Sequence, residues 1–339
     1  MKLLNKYAEE FAIGHDLSSD DAEAFLDELI TERDESLIAK MLIAWNDKDI
    51  EENEIYAIAN IMRTRMTRVN SRHETFVDIV GTGGSKAKTF NVSTAAAFVV
   101  AGAGIPVAKH GNKAATSNSG SADVLSELGI DPAVDPATAE RCLNEIGICF
   151  MFAPNFHRLS PTLAKVRRGL GFPTIFNSVG PLCNPASAPH QLIGVWDKEL
   201  VLKMANALAC LGTKKSWVVH GENGLDEISI EGKTFVAEVE NESVRTFEIT
   251  PDYFGFDTFG IDEIRCSDSP HSAEMIRNVL LGKPHTQAAE EIVLINAAAA
   301  LYICGVVSEP KEAATLARES LRSGNANNKL EELGEKTPA

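Results

Sequence analysis

A glycine-rich turn is the part of the chain best suited to chemistry. Gly81, Gly83 and Gly84 follow the apolar run at residues 76–80 and precede a helical pattern that begins beyond Ser93. Glycine permits positive φ and close backbone approach, so successive N–H groups can converge on phosphate oxygens, and a helix N-terminus adds further donors. The turn matches neither the P-loop pattern nor the dinucleotide fingerprint. The sequence therefore predicts an anion site, with an ordinary tight turn as the alternative.

The distribution of charge around this turn favours the anion site. Residues 79–122 contain no Asp or Glu, although these two types make up 48 of the 339 residues. The same window keeps five basic side chains, which are Lys86, Lys88, Lys109, Lys113 and His110. A buried segment can also lack acidic residues, but it would not normally retain that many lysines. We therefore expect a pocket of positive polarity in this part of the chain.

A second polar cluster spans residues 109–125 and again follows a strand-like run. Ser117, Ser119 and Ser121 can cap the amphipathic helix that comes next, while Gly120 and Ser121 can equally present donors to a phosphate. His110 stands where the strand would end, and open α/β sheets bind ligands at that edge. An isolated histidine is more often structural, so its position is what makes it a candidate.

Two adjacent carboxylates, Asp226 and Glu227, follow the strand-like run at residues 216–221. A pair of hard carboxylates can hold Mg²⁺ while leaving coordination positions for water and for substrate phosphates. In an acidic protein such a pair is more often solvated surface. The pair alone is therefore a weak metal signal.

Composition limits the partners and the compartment. Lys plus Arg number 32 against 48 for Asp plus Glu, which gives a formal charge of −16 and disfavours a nucleic-acid or membrane surface. The six cysteines show no metal-ligand spacing, and the first residues lack the features of a signal peptide. No apolar run reaches membrane-spanning length, and residues 292–307 are predicted to be a buried helix. The sequence predicts a cytoplasmic globular protein with reduced thiols.

Periodicity places these residues in two kinds of structure. Apolar residues recur at three- and four-residue steps over residues 1 to about 70, which predicts helices. From Phe76 onward, short apolar runs alternate with helical patterns, as in a largely parallel sheet covered by helices on both faces. A proline-rich stretch at about 155–190 is interpreted as a connection that returns to the helices. Residues 227–251 are expected to form antiparallel hairpins or an edge, and the polar end at 327–339 is expected to fray.

In combination, these segments resemble the anthranilate phosphoribosyltransferases. The resemblance covers roughly residues 76–230 and rests on four motifs in the family's order. The motifs are the glycine loop Gly81-Thr82-Gly83-Gly84 with Thr89, Asn91, Ser93 and Thr94; Lys109-His110-Gly111-Asn112 with Ser119-Gly120-Ser121; the segment 152–186; and Asp226-Glu227. Four ordered motifs make an accidental similarity improbable.

The resemblance implies the fold and the reaction. The fold would be an α/β protein of the nucleoside phosphorylase/phosphoribosyltransferase type, with a mostly parallel central sheet in a large α/β domain (73–157 and about 190–339) and a small helical domain (1–72 and about 158–189). The reaction would transfer the 5-phosphoribosyl group from phosphoribosyl pyrophosphate to anthranilate in tryptophan biosynthesis, with Mg²⁺ as cofactor. A homodimer is also implied.

The family motifs assign roles to residues of this chain. The donor would be bound by Gly81, Gly83, Gly84, Ser85, Thr89, Asn91, Ser93, Thr94, Lys109 and Ser121. Anthranilate would be bound by Gly81, His110, Asn112, Asn155 and Arg167, with Arg168 as the alternative arginine. Mg²⁺ would be held by Ser93, Asp226 and Glu227, and the residues closest to the chemistry would be Lys109, His110 and Arg167.

This chain departs from the family pattern at three places. Ser85 stands where the family most often has Asp, which leaves the number of metal ions open. Lys113 replaces the usual Arg, and Arg158-Leu159 replaces a commoner Pro-Ala near the acceptor entrance. Two alternatives remain at this stage: an enzyme like the pyrimidine nucleoside phosphorylases, and a non-catalytic relative that binds nucleic acid.

Overall fold

The computed structural model describes residues 2–85, 87–114 and 119–339. Lys86, one of the lysines of the acid-free window, and Ser117, one of the candidate capping serines, lie outside the described residues. Seven strands form one sheet in the order β3-β2-β1-β4-β5-β6-β7. Their bounds are β1 Val77–Gly81, β2 Val107–Gly111, β3 Ile148–Phe152, β4 His190–Gly194, β5 Lys215–Gly221, β6 Thr234–Glu240 and β7 Ser243–Ile249.

Strands β1 to β5 run parallel, and the β6–β7 hairpin adds to β5 in antiparallel fashion. The predictions of a mostly parallel sheet and of a hairpin within 227–251 are confirmed. Most residues of β7 are exposed, so the hairpin forms one edge of the sheet. The parallel strands place their carboxyl ends along one edge, where the loops meet.

Fifteen α-helices cover the described part of the chain. They are α1 Leu3–Ala12, α2 Ala22–Thr31, α3 Glu35–Asp47, α4 Glu52–Arg65, α5 Val92–Gly102, α6 Ser121–Glu127, α7 Pro136–Ile146, α8 Ala153–His157, α9 Pro161–Leu170, α10 Ile175–Leu182, α11 Glu199–Leu211, α12 Ser269–Leu280, α13 Gln287–Ile303, α14 Pro310–Arg322 and α15 Asn325–Lys336. None of these helices is both long enough and apolar enough to pass through a bilayer.

Two hydrophobic cores lie on opposite faces of the sheet. Val77 and Ile79 of β1 enter the first core with α5, α7 and α12–α15, whereas Val80 enters the second core with α1–α4 and α9–α11. The α5 helix can be buried on nearly every side because it is built of small and apolar residues. The central strands are therefore apolar on both faces, as the sequence predicts.

The connection between β3 and β4 returns to the N-terminal helices, as the prolines suggest. Helix α9 packs on α3, and α10 packs on α4. The side chains of α9 and α10 share the second core with α1–α4. This packing supports the two-domain division, whose boundaries remain a prediction.

The expectation that the polar C-terminal end frays is wrong. Residues 325–336 form α15, whose Leu330 and Leu333 are buried in the first core. The Ala339 N–H donates to the Gly129 carbonyl at 3.2 Å, which fixes the chain beyond the helix. Leucines spaced three residues apart supply an apolar stripe that the overall polarity of the segment hides.

Candidate active site

A cavity of about 290 Å³ opens at the carboxyl ends of β1 and β2. It collects side chains from the glycine loop, from the loop after β2, from α9 and α10, and from the loop after β5. Fifteen of the sequence-predicted site residues line it: Gly81, Gly83, Gly84, Ser85, Thr89, Asn91, Ser93, Thr94, Lys109, His110, Asn112, Ser121, Arg167, Asp226 and Glu227. The structure thus brings together segments that are separated by up to about half the chain.

The glycine loop has the backbone that its sequence requires. Gly83 and Gly84 have φ of 65° and 86°, a region that other residues rarely adopt. A Cβ on Gly84 would also lie only 3.0 Å from Cγ of Pro173. The loop leads to Asn91, the N-cap of α5, so the first turn of that helix faces the cavity. Backbone donors and a helix N-terminus therefore converge on the same space.

The Asn91 side chain is fixed by two hydroxyls. Its Oδ1 accepts from the Oγ atoms of Ser119 and Ser272, each at 2.8 Å. These bonds tie the start of α5 to the loop before α6 and to α12. Ser121 is the first residue of α6, and its Oγ lies 3.4 Å from the Asn112 carbonyl oxygen. The two polar clusters of the sequence thus form one wall of the cavity.

Lys109 supplies a buried positive charge. Its side chain is 5% exposed, and its Nζ donates to the Ile79 carbonyl at 2.5 Å. Burial lowers the pKa of Lys109, while the nearby Asp78 and Glu227 charges raise it. An ammonium held on a backbone carbonyl next to the glycine loop can attract a phosphate group.

The carboxylate pair also lines the cavity and is buried. Gly194 allows the Asp226 backbone to approach closely, since a Cβ there would lie 1.7 Å from the Asp226 carbonyl oxygen. Glu227 Oε1 accepts from the backbone N–H of Ser93 at 3.1 Å and from the Ser93 hydroxyl. Burial and the Asp226 charge raise the pKa of Glu227 to about 8, and burial also raises the pKa of Asp226.

These residues fit a magnesium ion. The two buried carboxylates repel each other, so a cation between them would be stabilising. The Ser93 hydroxyl, which binds Glu227, could be a further ligand. The described residues contain no group of three or more His, Cys, Asp or Glu side chains that could hold a metal. The pair therefore suits an ion that keeps waters and shares substrate phosphates, as Mg²⁺ does, rather than a closed structural metal site.

A histidine pair also lines the cavity. His110 Nε2 and His157 Nε2 lie 2.9 Å apart, and the rings meet edge to face. Burial lowers the pKa of His157 to about 4 and places the pKa of His110 well below its usual value, with the other ring and Lys109 acting in the same direction on His110. His157 Nδ1 is buried without a hydrogen-bond partner. Burial therefore favours the neutral form of both rings.

Arg167 lines the cavity from the last turn of α9. Its guanidinium sits 5.0 Å from the Phe176 ring centroid, and its Nη2 donates to Asn177 Oδ1 at 3.4 Å. Its Nε is buried without a hydrogen-bond partner, and burial lowers the pKa of Arg167 to about 10. Such a group gains most from an anionic ligand with two oxygens. Arg168 is exposed, which favours Arg167 of the two arginines.

Asn155 is the one predicted site residue that does not line the cavity. Its Nδ2 donates to the carbonyls of Ala133 and Val134 at 2.9 and 3.2 Å, outside the cavity. His157, Phe176 and Asn177 line the cavity but were not chosen from the sequence. All three belong to the segment 152–186, yet no spacing within that segment distinguishes side chains that face the cavity.

The fold and the site define a class of enzyme before they define a substrate. A sheet-edge cavity with a phosphate loop and a buried carboxylate pair is what a glycosyl transfer from a phosphorylated donor requires. Consistent with this class, the sequence model described as "Glycosyl transferase family, a/b domain" matches residues 73–327.

Individual relatives are more specific. An anthranilate phosphoribosyltransferase of Bradyrhizobium sp. (strain BTAi1) is 42% identical over 323 residues, which are 95% of each chain. The solved anthranilate phosphoribosyltransferase of Thermus thermophilus is 34% identical with a TM-score of 0.87, covering 97% of this chain and 98% of that one. The Saccharomyces cerevisiae enzyme, solved with PRPP and Mg, is 30% identical with a TM-score of 0.87, covering 98% and 97%. The chain belongs to the anthranilate phosphoribosyltransferase family.

Proposed function

We propose that this chain transfers the 5-phosphoribosyl group of phosphoribosyl pyrophosphate to the amine of anthranilate and releases pyrophosphate, a step of tryptophan biosynthesis. One observation carries the proposal: a single cavity is lined both by a buried carboxylate pair, which we call the donor end, and by a guanidinium and a neutral histidine pair, which we call the acceptor end. The first end suits a magnesium-bound diphosphate, and the second suits a carboxylate on an aromatic ring.

The donor end stabilises the leaving group. When pyrophosphate departs from the anomeric carbon, negative charge grows on its oxygens while the sugar becomes oxocarbenium-like. Lys109, held on the Ile79 carbonyl, and the glycine loop both line this cavity, so they would stabilise that charge with little reorganisation. Mg²⁺, held by Asp226, Glu227 and Ser93, would supply additional positive charge to the diphosphate.

The acceptor end orients the nucleophile. Arg167 can take the anthranilate carboxylate with its planar fork, and the buried ring of Phe176 lies under that guanidinium. The aromatic amine is neutral at pH 7, so attack needs no strongly perturbed base, and its proton can leave late. The neutral His110–His157 pair can accept a hydrogen bond from that amine. Holding the two substrates face to face is the main work of this end.

The alternatives fit the cavity less well. A pyrimidine nucleoside phosphorylase has no use for Arg167 as a carboxylate ligand. A nucleic-acid-binding relative could dispense with the Asp226-Glu227 pair and would need a basic face, whereas the chain carries a formal charge of −16. The names of the relatives favour the transferase as well.

The test is direct. When purified protein is mixed with MgCl₂, phosphoribosyl pyrophosphate and anthranilate, the anthranilate fluorescence should decrease. One molecule of pyrophosphate should be released for each molecule of anthranilate consumed. Omitting any one component should abolish both signals. Phosphate-dependent release of thymine from thymidine, without anthranilate consumption, would replace the proposal with the phosphorylase.

Two finer properties belong to this proposal because the family resemblance implies them. We infer a homodimer and a cytoplasmic location. Light scattering coupled to size-exclusion chromatography should give twice the chain mass of 36.6 kDa. A monomer at micromolar concentration would remove the dimer from the proposal without affecting the transferase.

A further inference from the structure

The carboxylate of Asp78 is fully buried in β1, one residue before Ile79, whose carbonyl receives Lys109. A buried carboxylate inside a strand costs several kcal/mol unless hydrogen bonds and charges offset it. The mechanism above gives Asp78 no part. Its position beside two residues of the cavity therefore needs an explanation.

The parallel ladder between β1 and β2 is short at this place. The two strands pair only at Val77 and Val107, whereas β1 with β4 and β2 with β3 each pair over five positions. β1 and β2 are the strands that lead to the glycine loop and to Lys109-His110. The seam between them is thus incomplete where it approaches the cavity.

Side chains form hydrogen bonds with the backbone groups that the β1–β2 ladder leaves unpaired. Asp78 Oδ1 accepts from the His110 N–H at 3.1 Å, and Asn184 Nδ2 donates to the Ala108 carbonyl at 2.8 Å. The Lys109 ammonium satisfies the Ile79 carbonyl. Asp78 and Asn184 are joined to each other, since Asn184 Nδ2 donates to Asp78 Oδ2 at 2.7 Å.

This arrangement aligns charge as well as backbone. Burial raises the pKa of Asp78 to about 6, and the Lys109 ammonium opposes that rise. The Asp78 charge in turn favours the protonated form of Lys109 against burial. Asn184 follows α10 in the connection between β3 and β4, so the same contacts also join that connection to the seam.

We infer that Asp78, clamped by Asn184, is a positioning residue that keeps the β1–β2 seam open and, by binding the N–H of the residue after Lys109, holds the Lys109 ammonium at the cavity. The inference rests on the proposed function, because Lys109 is taken to act on the donor diphosphate. Asp78 itself touches neither substrate. Its effect is expected in donor use more than in the stability of the fold.

A double-mutant cycle tests this inference. Asp78→Asn keeps the shape of the side chain but removes the charge and turns a donor toward Asn184. Its kcat/KM for phosphoribosyl pyrophosphate should fall at least about tenfold, the effect of losing one charged hydrogen bond. Lys109→Gln should fall further. The double variant should be no worse than Lys109→Gln alone, since Asp78 acts through Lys109.

Leu330→Ala, buried in α15 away from the cavity, is the matched control for lost stability. Any decrease in kcat/KM that Leu330→Ala causes should multiply with the decrease caused by Lys109→Gln, because Leu330 does not act through Lys109. Multiplying losses for Asp78→Asn and Lys109→Gln, or a kcat/KM for Asp78→Asn within twofold of the unaltered protein, would overturn the inference. If Asp78→Asn does not fold, the same cycle with Asn184→Ala decides by the same criterion. If the unaltered protein shows no transferase activity, the proposed function is refuted instead.

Discussion

The Nε2 atoms of His110 and His157 lie 2.9 Å apart although the residues are 47 positions apart in the chain. Only one proton fits between two ring nitrogens at that distance, so the pair cannot carry two positive charges without separating. The arrangement couples β2 to α8, the two elements that border the acceptor end. It also makes the folded protein sensitive to acid.

The sign of that sensitivity follows from the pKa of His157, which burial lowers from 6.5 to about 4. The unfolded chain therefore binds more protons than the folded one between these values, and the free energy of unfolding must decrease as the pH falls from 6.5 toward 4. His157→Phe keeps an aromatic ring but cannot titrate. Between pH 7 and pH 5 it should lose about 2 kcal/mol less stability than the unaltered protein. Urea unfolding of both proteins at the two pH values measures this, and parallel losses would contradict it.

Arg167→Ala should weaken anthranilate use far more than donor use. A charged hydrogen bond of this kind contributes about 1.5–3 kcal/mol, so KM for anthranilate should rise by roughly 10- to 150-fold. The KM of Arg167→Lys for anthranilate should lie between those of the unaltered protein and Arg167→Ala, because an ammonium keeps the charge but lacks the planar fork. The exposed neighbour Arg168 provides the control, and Arg168→Ala should leave both KM values within about twofold. If steady-state kinetics show the larger increase in anthranilate KM for Arg168→Ala, then Arg168 and not Arg167 is the carboxylate ligand.

Glu227→Gln should make the ligand-free protein more stable. It removes one of two buried carboxylates that repel each other, which should raise Tm by about 1–3 °C. The same change should remove the rise in Tm that MgCl₂ with phosphoribosyl pyrophosphate gives to the unaltered protein. Asp257→Asn changes an exposed carboxylate and should affect neither value. A Glu227→Gln protein that still responds fully to magnesium would place the metal elsewhere.

Gly194→Ala should damage the carboxylate pair from the side of the backbone. The new Cβ would occupy the position of the Asp226 carbonyl oxygen, so the loop after β5 must shift, at a cost of about 1–3 kcal/mol. Donor KM should rise with it. Gly334→Ala in α15 meets only Ile130 at ordinary contact distance and should instead stabilise the protein by up to about 1 kcal/mol. Thermal unfolding and donor kinetics of the two variants give the comparison, and equal behaviour would refute the close approach.

The sequence predicts the sheet and the glycine loop well because both leave local marks. Buried parallel strands read as apolar runs, and a phosphate loop needs glycines at fixed places such as Gly83 and Gly84. His157 and Asn177 leave no such mark, since their role depends on which side of a short helix faces the cavity. Asn155 was carried over from the family motif, but its amide bonds to Ala133 and Val134 instead.

The C-terminal end shows a different limit. Its polar composition predicts fraying, but Leu330 and Leu333 are sufficient to hold α15 on α5. Whether such a stripe is used depends on a partner surface far away in the chain. The seam at Asp78 is also hidden from the sequence, because a single acid in an apolar run does not reveal which backbone groups it satisfies.

The β6–β7 hairpin has a consequence for the behaviour of the protein at high concentration. It covers the side of β5 that would otherwise present unpaired backbone groups, and its outer strand carries exposed polar side chains such as Arg245 and Glu248. An uncovered parallel strand invites pairing with another molecule, and charged side chains on the outermost strand discourage it. We therefore expect a protein that lacks the hairpin to precipitate during purification even where its cavity is intact.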